Sequence, residues 1–476
     1  MKASTIIFGL FVFTATQLFS QQSGNQLSWV KDTGYIQVDG GKLFYEMAGK
    51  GENIVLLHDG MVDREIWDEQ FPVLAKNYRV VRYDRRTYGK SSDPQAPYSD
   101  IEDLIQLFIQ LNIDRATVFG MSSGGGLAID FTLKYPEKVS ALVLVGAVVS
   151  GYGYSPHMTN RGGHLKSPAE LADPQKAIKY FVWDDPYEIY SENVKAKEKV
   201  EKLLKANLHP SEGNYLKPAE RPGAKFLSEI KVPALVLVGE NDIADVHAHA
   251  GVIEYGIKNA KREVILNSGH LIPLEQPEAF NASVGRFLKR AQFFSALFSQ
   301  GVDAAIQYFN ELQKSEPNTR IFEESEMNAL GYRFLQGDKI KDAIKIFKIN
   351  TIAFPNSSNV FDSMGEAYLK DGQTDLAISN YKKSLELDPK NENAKTALKG
   401  IKEAGSQKSK KPGTEGKNLL QKPESILFDE AETSISNCDG ITVDRYGRCY
   451  VTSWPTKSIY RFVTKDTQVC VSTRCC

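Results

Sequence analysis

Gly120-Met121-Ser122-Ser123-Gly124 follows the mostly apolar run 116–119 and precedes Gly125-Gly126-Leu127-Ala128, so it reads as strand, sharp turn and helix with a serine at the turn. The flanking glycines are a steric requirement, because a Cβ on either side of so tight a turn would meet neighbouring backbone. A serine held this way stands at the carboxyl edge of a sheet, with a helix N-terminus behind it that favours developing negative charge. Two further residues occupy comparable positions. Asp242 follows the buried-strand pattern 233–238 and the turn Gly239-Glu240-Asn241, while His270 follows the strand pattern 263–266 and Asn267-Ser268-Gly269. Nucleophile, acid and base leaving three strand ends in the order Ser, Asp, His suit acyl transfer through a covalent intermediate. Ser122 would attack a carbonyl carbon, His270 would take its proton and pass it to the leaving group, and Asp242 would hold the imidazole in the productive tautomer. Backbone N–H groups of Ser123 and of Gly60, in the His58-Asp59-Gly60 loop, would receive the oxyanion.

Plainer roles are open to the same residues. Ser122 could be an ordinary helix N-cap and His270 a structural histidine. Asp245 competes with Asp242, which is preferred because it closely follows its strand. His58 reads as a brace for the oxyanion loop rather than a catalyst, and Trp67 and Arg85 read as packing and loop-anchoring residues.

Bringing three such side chains together takes a doubly wound, mostly parallel sheet, an α/β fold with helices on both faces. Ile54-Val55-Leu56-Leu57-His58 with Trp67 downstream, Tyr83-Asp84-Arg85-Arg86-Thr87-Tyr88-Gly89-Lys90-Ser91, and Gly269-His270 with Glu275-Gln276-Pro277 carry a family resemblance. With them, residues 28–291 resemble the α/β-hydrolase superfamily, near its small esterase, lactonase and cofactor-free haloperoxidase-like members. The resemblance implies a serine hydrolase of a small ester or lactone. A thioester, amide or activated carbon–carbon bond is open to the same triad, and so is a catalytically inactive scaffold acting through protein binding. Two positions depart from the family pattern: Asp59 replaces the usual Gly of His-Gly, and Thr87 replaces the Gly after Arg86. A carboxylate at 59 would either repel a tetrahedral anion or hold a water or a basic substrate group. Serine at the turn disfavours haloalkane dehalogenases and epoxide hydrolases, which place Asp there. The sequence has no His-Glu-x-x-His, Cys-x-x-Cys or P-loop pattern, so it calls for neither a metal nor another cofactor.

Between Ser150 and Lys231 the strand–helix alternation breaks, which predicts a helical lid at about 150–230 with helices near 174–182 and 192–207. Its aromatics Tyr152, Tyr154, Tyr180, Phe181, Trp183, Tyr187 and Tyr190 either line an apolar pocket or pack the lid itself.

The 476 residues exceed one compact domain. Lys and Arg total 58 against 59 Asp and Glu, which lacks the basic excess of a nucleic-acid binder. Residues 1–20 read as a secretory signal peptide, with the apolar run 6–13 too short to span a membrane. Secretion or a periplasmic location follows; the lone Lys2 leaves an uncleaved anchor open.

From 292 to 403 the pairs Gly331/Gly365, Phe334/Tyr368, Ala343/Ala377, Ile344/Ile378, Phe347/Tyr381 and Pro355/Pro389 each lie 34 residues apart. That period resembles the tetratricopeptide repeat, a stacked helical hairpin. A divergent unit at 297–312 would precede the two clear ones. Such repeats either bind a protein or peptide partner or simply cap or dimerise the enzyme. Residues 404–422 read as a polar linker, and 423–476 as short strands similar to one truncated blade of an NHL or gluconolactonase-like propeller. All five cysteines lie at 438–476, an odd count that leaves at least one thiol unpaired or intermolecular under oxidising conditions.

Overall fold

The computed structural model describes residues 32–159, 173–184, 193–207, 215–317 and 319–408, together with the backbone of four strands between 440 and 475. The expected signal peptide, the lid residues Tyr187 and Tyr190, the linker from 409 and the strand expected at 423–428 lie outside them.

Eight strands form the first sheet: β1 (Asp32–Val38), β2 (Gly41–Ala48), β3 (Asn53–Leu57), β4 (Arg79–Tyr83), β5 (Ala116–Met121), β6 (Val139–Val145), β7 (Ala234–Gly239) and β8 (Ala260–Ile265). Their order is β1-β2-β4-β3-β5-β6-β7-β8. β1 and β2 pair antiparallel, as do β2 and β4, and every pairing beyond is parallel. The central strands are near-continuous apolar runs because both faces are covered. On one face lie α1 (Asp100–Gln110), α2 (Ser123–Lys134) and α4 (Ala244–Gly256), contributing Leu104, Phe108, Phe131 and Ile253 to the core. On the other lie Trp67, Phe71, α3 (Val194–Ala206) and the first half of α5 (Pro277–Gln300). β1 and β8 are the edge strands, and Lys261, Arg262 and Glu263 of β8 discourage pairing with another chain.

The helices that follow are α6 (Val302–Ser315), α7 (Glu324–Gln336), α8 (Ile340–Ala353), α9 (Ser358–Lys370), α10 (Thr374–Leu387) and α11 (Glu392–Lys408). The 34-residue period has a direct steric cause. A Cβ on Gly331 would run into the Phe347 ring, and one on Gly365 would run into Tyr381. Each hairpin therefore seats one aromatic ring against one glycine of its partner helix. Among the described residues no helix is long and apolar enough to cross a membrane.

Two expected boundaries fall inside helices. The hydrolase was expected to end at 291 and the repeats to begin at 292, but both positions fall inside α5. Nothing in that stretch breaks a helix, and its apolar residues serve two cores in turn. Phe280, Val284, Phe287 and Leu288 pack on the sheet, whereas Phe293 and Leu297 pack with Phe309, Phe322 and Met327 of the repeats. Accordingly, residues 1–402 cluster as one compact unit. Helix α11 continues to Lys408, past position 404, where the linker was expected to begin. Extending an existing helix costs far less than nucleating one, and the first proline is Pro412.

Residues 403–476 form the second unit. Its strands β9 (Gly440–Val443), β10 (Cys449–Ser453), β11 (Ser458–Lys465) and β12 (Gln468–Cys475) form an antiparallel meander in the order β12-β11-β10-β9. β12 was not among the expected strands, and the likeness to a propeller blade remains an expectation.

Phe293 is fully buried against Phe294 and Phe322. Phe293→Ala is expected to cost about 3–5 kcal/mol. Because α5 belongs to both cores, urea unfolding followed by circular dichroism should show one transition at a lower midpoint, not early loss of the repeats alone.

Candidate active site

Ser122 sits between β5 and α2 with φ 51° and ψ −116°. Such a backbone is uncommon for any residue but glycine and costs on the order of 1–3 kcal/mol. Its surroundings hold it there. The Ser122 N–H donates to the Val145 carbonyl at 2.9 Å, and its own carbonyl accepts from Gly125, Gly126 and Val148 at 2.9, 3.2 and 3.2 Å. Ser122 makes no side-chain cap bond to α2, so its hydroxyl is not spent on N-capping. The glycines meet the steric demand read from the sequence. A Cβ on Gly120 would overlap the Gly124 and Gly125 backbone, and a Cβ on Gly124 would overlap the His58 and Leu57 carbonyls.

Asp242 and His270 are brought together: Nδ1 of the imidazole lies 2.9 Å from Oδ2 of the carboxylate, with both residues buried. The Ile243 N–H donates to the other carboxylate oxygen at 2.8 Å and fixes its orientation. Burial disfavours a charged His270, but the charge and hydrogen bond of Asp242, aided by Asp59 and Glu275, outweigh it and raise the imidazole pKa above its usual 6.5. Protonated His270 thus contributes stability that is full below about pH 6.5 and lost as pH rises through the higher folded value. Asp245, the rival acid, instead accepts from the Ser155 N–H and hydroxyl at 2.6 and 2.7 Å.

Among the described residues no hydrogen bond links the Ser122 hydroxyl to His270, a contact that commonly tightens only with substrate bound. Their proximity follows from Gly146. Its neighbour Val145 bonds to Ser122, and a Cβ on Gly146 would stand 3.0 Å from His270 Nδ1 and 3.4 Å from Asp242 Oδ2. Gly146 escaped the sequence reading because one glycine after an apolar run looks like an ordinary strand end. Glu275 had a signal, its place in the Gly-His block. Its two carboxylate oxygens accept from the Gly269 and Leu271 N–H groups at 2.7 and 2.9 Å, bracketing His270.

Gly60 and Ser123 also come together, since a Cβ on Gly60 would lie 3.0 Å from Ser123 Oγ. His58 is the expected brace. Its Nε2 accepts from the Arg85 N–H at 2.9 Å and its Nδ1 donates to the Asp59 carbonyl at 2.7 Å, while burial, then the Arg85 charge, push its pKa well down and keep it neutral. Arg85 anchors the loop as expected. It pairs with Asp100 at 2.7 Å and donates to the Asp59 carbonyl and Ser123 hydroxyl at 3.3 and 2.9 Å. Trp67 is wholly buried against Phe119 and Phe280.

Asp59 turns inward. Its Oδ1 accepts from the Met61 and Val62 N–H groups, both at 2.8 Å, whereas Oδ2 is buried with no hydrogen-bond partner among the described residues. The residue that departs from the family pattern thus shapes the oxyanion loop, and burial raises its pKa. Thr87, the other departure, takes φ 72°, where glycine is easier.

A cleft of about 290 Å³ opens beside the first turn of α2, lined by Arg85, Ser123, Leu127, Asp130, Tyr152 and Tyr154 among others. Ser122 and His270 do not line it, so it flanks the reacting groups. Tyr152 and Tyr154 therefore face open space, whereas Tyr180 is buried and Trp183 donates to Glu201 at 2.7 Å, so the lid aromatics divide between the two expected roles.

Gly124→Ala is expected to cost about 1–3 kcal/mol through overpacking against backbone that cannot yield. Gly285→Ala, in α5 with open space around it, should instead stabilise by about 1 kcal/mol through helix propensity. Urea midpoints moving in opposite directions would bear this out.

Comparison with known proteins bears on the two parts of the fold. A model of the alpha/beta hydrolase family matches residues 54–283, and one of the tetratricopeptide repeat matches residues 359–391. The chain is 26% identical over 274 residues to Carboxylesterase YbfK of Bacillus subtilis (strain 168), covering 53% of this chain and 86% of that one. It is 27% identical over 271 residues to a 2-hydroxy-6-oxo-6-phenylhexa-2,4-dienoate hydrolase of Comamonas testosteroni, covering 52% and 91%. It is 31% identical over 276 residues to a 2-hydroxy-6-oxononadienedioate/2-hydroxy-6-oxononatrienedioate hydrolase of Burkholderia vietnamiensis (strain G4 / LMG 22486), covering 52% and 91%.

Proposed function

This chain belongs to the alpha/beta hydrolase family, and on that footing we propose that it cleaves a small ester or lactone through an acyl-enzyme formed on Ser122. The observation that carries the reading is a serine with φ 51° at the β5–α2 turn, beside an imidazole held 2.9 Å from a buried carboxylate. His270 accepts the serine proton as the hydroxyl attacks and delivers it to the leaving group; Asp242 stabilises the imidazolium. The Gly60 and Ser123 N–H groups receive the oxyanion, each donor being worth about 3 kcal/mol in such sites. Names of two relatives, hydrolases of a 2-hydroxy-6-oxo dienoate and of a 2-hydroxy-6-oxo dienedioate or trienedioate, favour a second reading in which the same three residues hydrolyse a 2-hydroxy-6-oxo dienoate or its dicarboxylate counterpart. The apolar run 6–13, read as part of a secretory signal, supports export to the periplasm or medium, and the repeats offer a surface for a protein or peptide partner.

The experiment is release of p-nitrophenol from short- and long-chain esters, with fluorophosphonate labelling in parallel. Ser122→Ala is expected to lose both; ester hydrolysis that survives the substitution would exclude Ser122 as nucleophile. Turnover of a dienoate with inert esters would select the second reading.

The general base must be neutral to act. With the His270 pKa raised, kcat/KM should climb with pH along a limb whose midpoint lies above 6.5. Asp242→Asn removes the largest stabiliser of the imidazolium, so the limb should move to lower pH while kcat falls by about 10⁴.

A further inference from the structure

Helix α3 begins and ends with an asparagine, and each asparagine holds a different part of the site. At the start, Asn193 Oδ1 accepts from the Ala196 N–H at 3.2 Å and caps the helix, while its Nδ2 donates to the Glu275 carbonyl at 3.3 Å. Glu275 is the residue whose carboxylate brackets His270 through the Gly269 and Leu271 N–H groups. At the far end, Asn207 Nδ2 donates to the Leu203 carbonyl at 2.8 Å and to Asp63 Oδ2 at 3.1 Å, and its Oδ1 accepts from the Gly89 N–H at 2.8 Å. Asp63 continues the loop that carries Gly60. Gly89 follows Tyr88, whose hydroxyl donates to the Gly60 carbonyl at 2.8 Å.

One helix therefore touches the base loop with one end and the oxyanion loop with the other. Its 13 residues span about 20 Å. Ala196, Val200 and Leu203 seat its inner face in the same core as Trp67 and Phe280, which fixes its height above the sheet. Local backbone needs do not account for the asparagines. Asp or Ser would cap the start equally well. Asn207 has φ −107° rather than a left-handed backbone, so it is not there as the usual C-terminal asparagine. What both positions share is a side chain that donates and accepts at once.

We infer that α3 is a strut setting the separation between the His270 loop and the Gly60 loop, with Asn193 and Asn207 as positioning residues. Its catalytic consequence rests on the hydrolase reading above; its effect on the two loops does not. Acyl transfer is sensitive to such placement, since an error near 1 Å can cost about 100-fold.

Asn193→Asp in the full chain tests the inference, because it keeps the helix cap and deletes the donor to Glu275; Asn193→Ser does so without adding charge. Expected for both are an about 10- to 100-fold fall in kcat, with KM within about twofold and the urea midpoint unchanged. Amide hydrogen exchange should quicken at 269–271 and stay unaltered at 61–65. Asn207→Ala should give the mirror pattern, faster exchange at 61–65 and 88–89 with 269–271 unaltered. Wild-type kcat and wild-type exchange at 269–271 in both folded Asn193 variants would overturn the strut. Should the unmodified protein hydrolyse neither esters nor dienoates, the hydrolase reading fails, and the exchange pattern alone decides the strut.

Discussion

The turn between β5 and α2 depends on backbone approaching backbone with no Cβ between, and the rest of the site is placed by that approach. Gly120 lets the turn close on the first residues of α2, and Gly124 lets α2 settle on the His58 carbonyl. Gly125 rests against Ala147, just beyond β6. β3, β5, β6 and α2 are thereby drawn to one point, and Ser122 is the residue left there with a left-handed φ. Three donors converging on its carbonyl supply the local compensation for that backbone.

Behind the oxyanion loop lies a set of buried ion pairs. Arg64 reaches Asp84 at 2.9 Å and Glu46 at 3.3 Å, Arg85 reaches Asp100 at 2.7 Å, and Arg86 reaches Asp103 at 2.6 Å. Buried pairs of this kind add little net stability, because desolvating the charges offsets their attraction. Their effect is directional. They tie β2, β4 and α1 to the loop bearing His58, Asp59 and Gly60, so that loop belongs to a frame rather than standing free. Asp59 fits the same scheme, spending one carboxylate oxygen on the loop's own N–H groups.

Continuity of α5 makes the repeats part of the hydrolase body. A helix that buries Phe280 in one core and Phe293 in another gives neither core a place to separate. Arg290 of α5 also pairs with Glu326 of α7, and Lys261 of β8 with Glu323 at 3.8 Å.

Local patterns carried much of this information in the sequence. Glycines flanking a serine, apolar runs ending at Asp242 and His270, and a 34-residue alternation of glycine and aromatic side chains are each legible because their physical cause acts over a few residues or repeats at a fixed interval. The choice of Asp242 over Asp245 was legible for the same reason, its distance from a strand end. Gly146 under the imidazole, and Asn193 and Asn207 tying α3 to opposite sides of the site, depend on segments 80 or more residues apart meeting in space. No spacing along the chain encodes such a meeting. Position along the chain also did not show that one helix, α5, runs through 291 and ends only at Gly301. The sequence by itself determined which side chains stand at the strand ends; the tertiary structure alone decided which distant backbone groups hold them in place, since that depends on close approach between segments far apart in the chain.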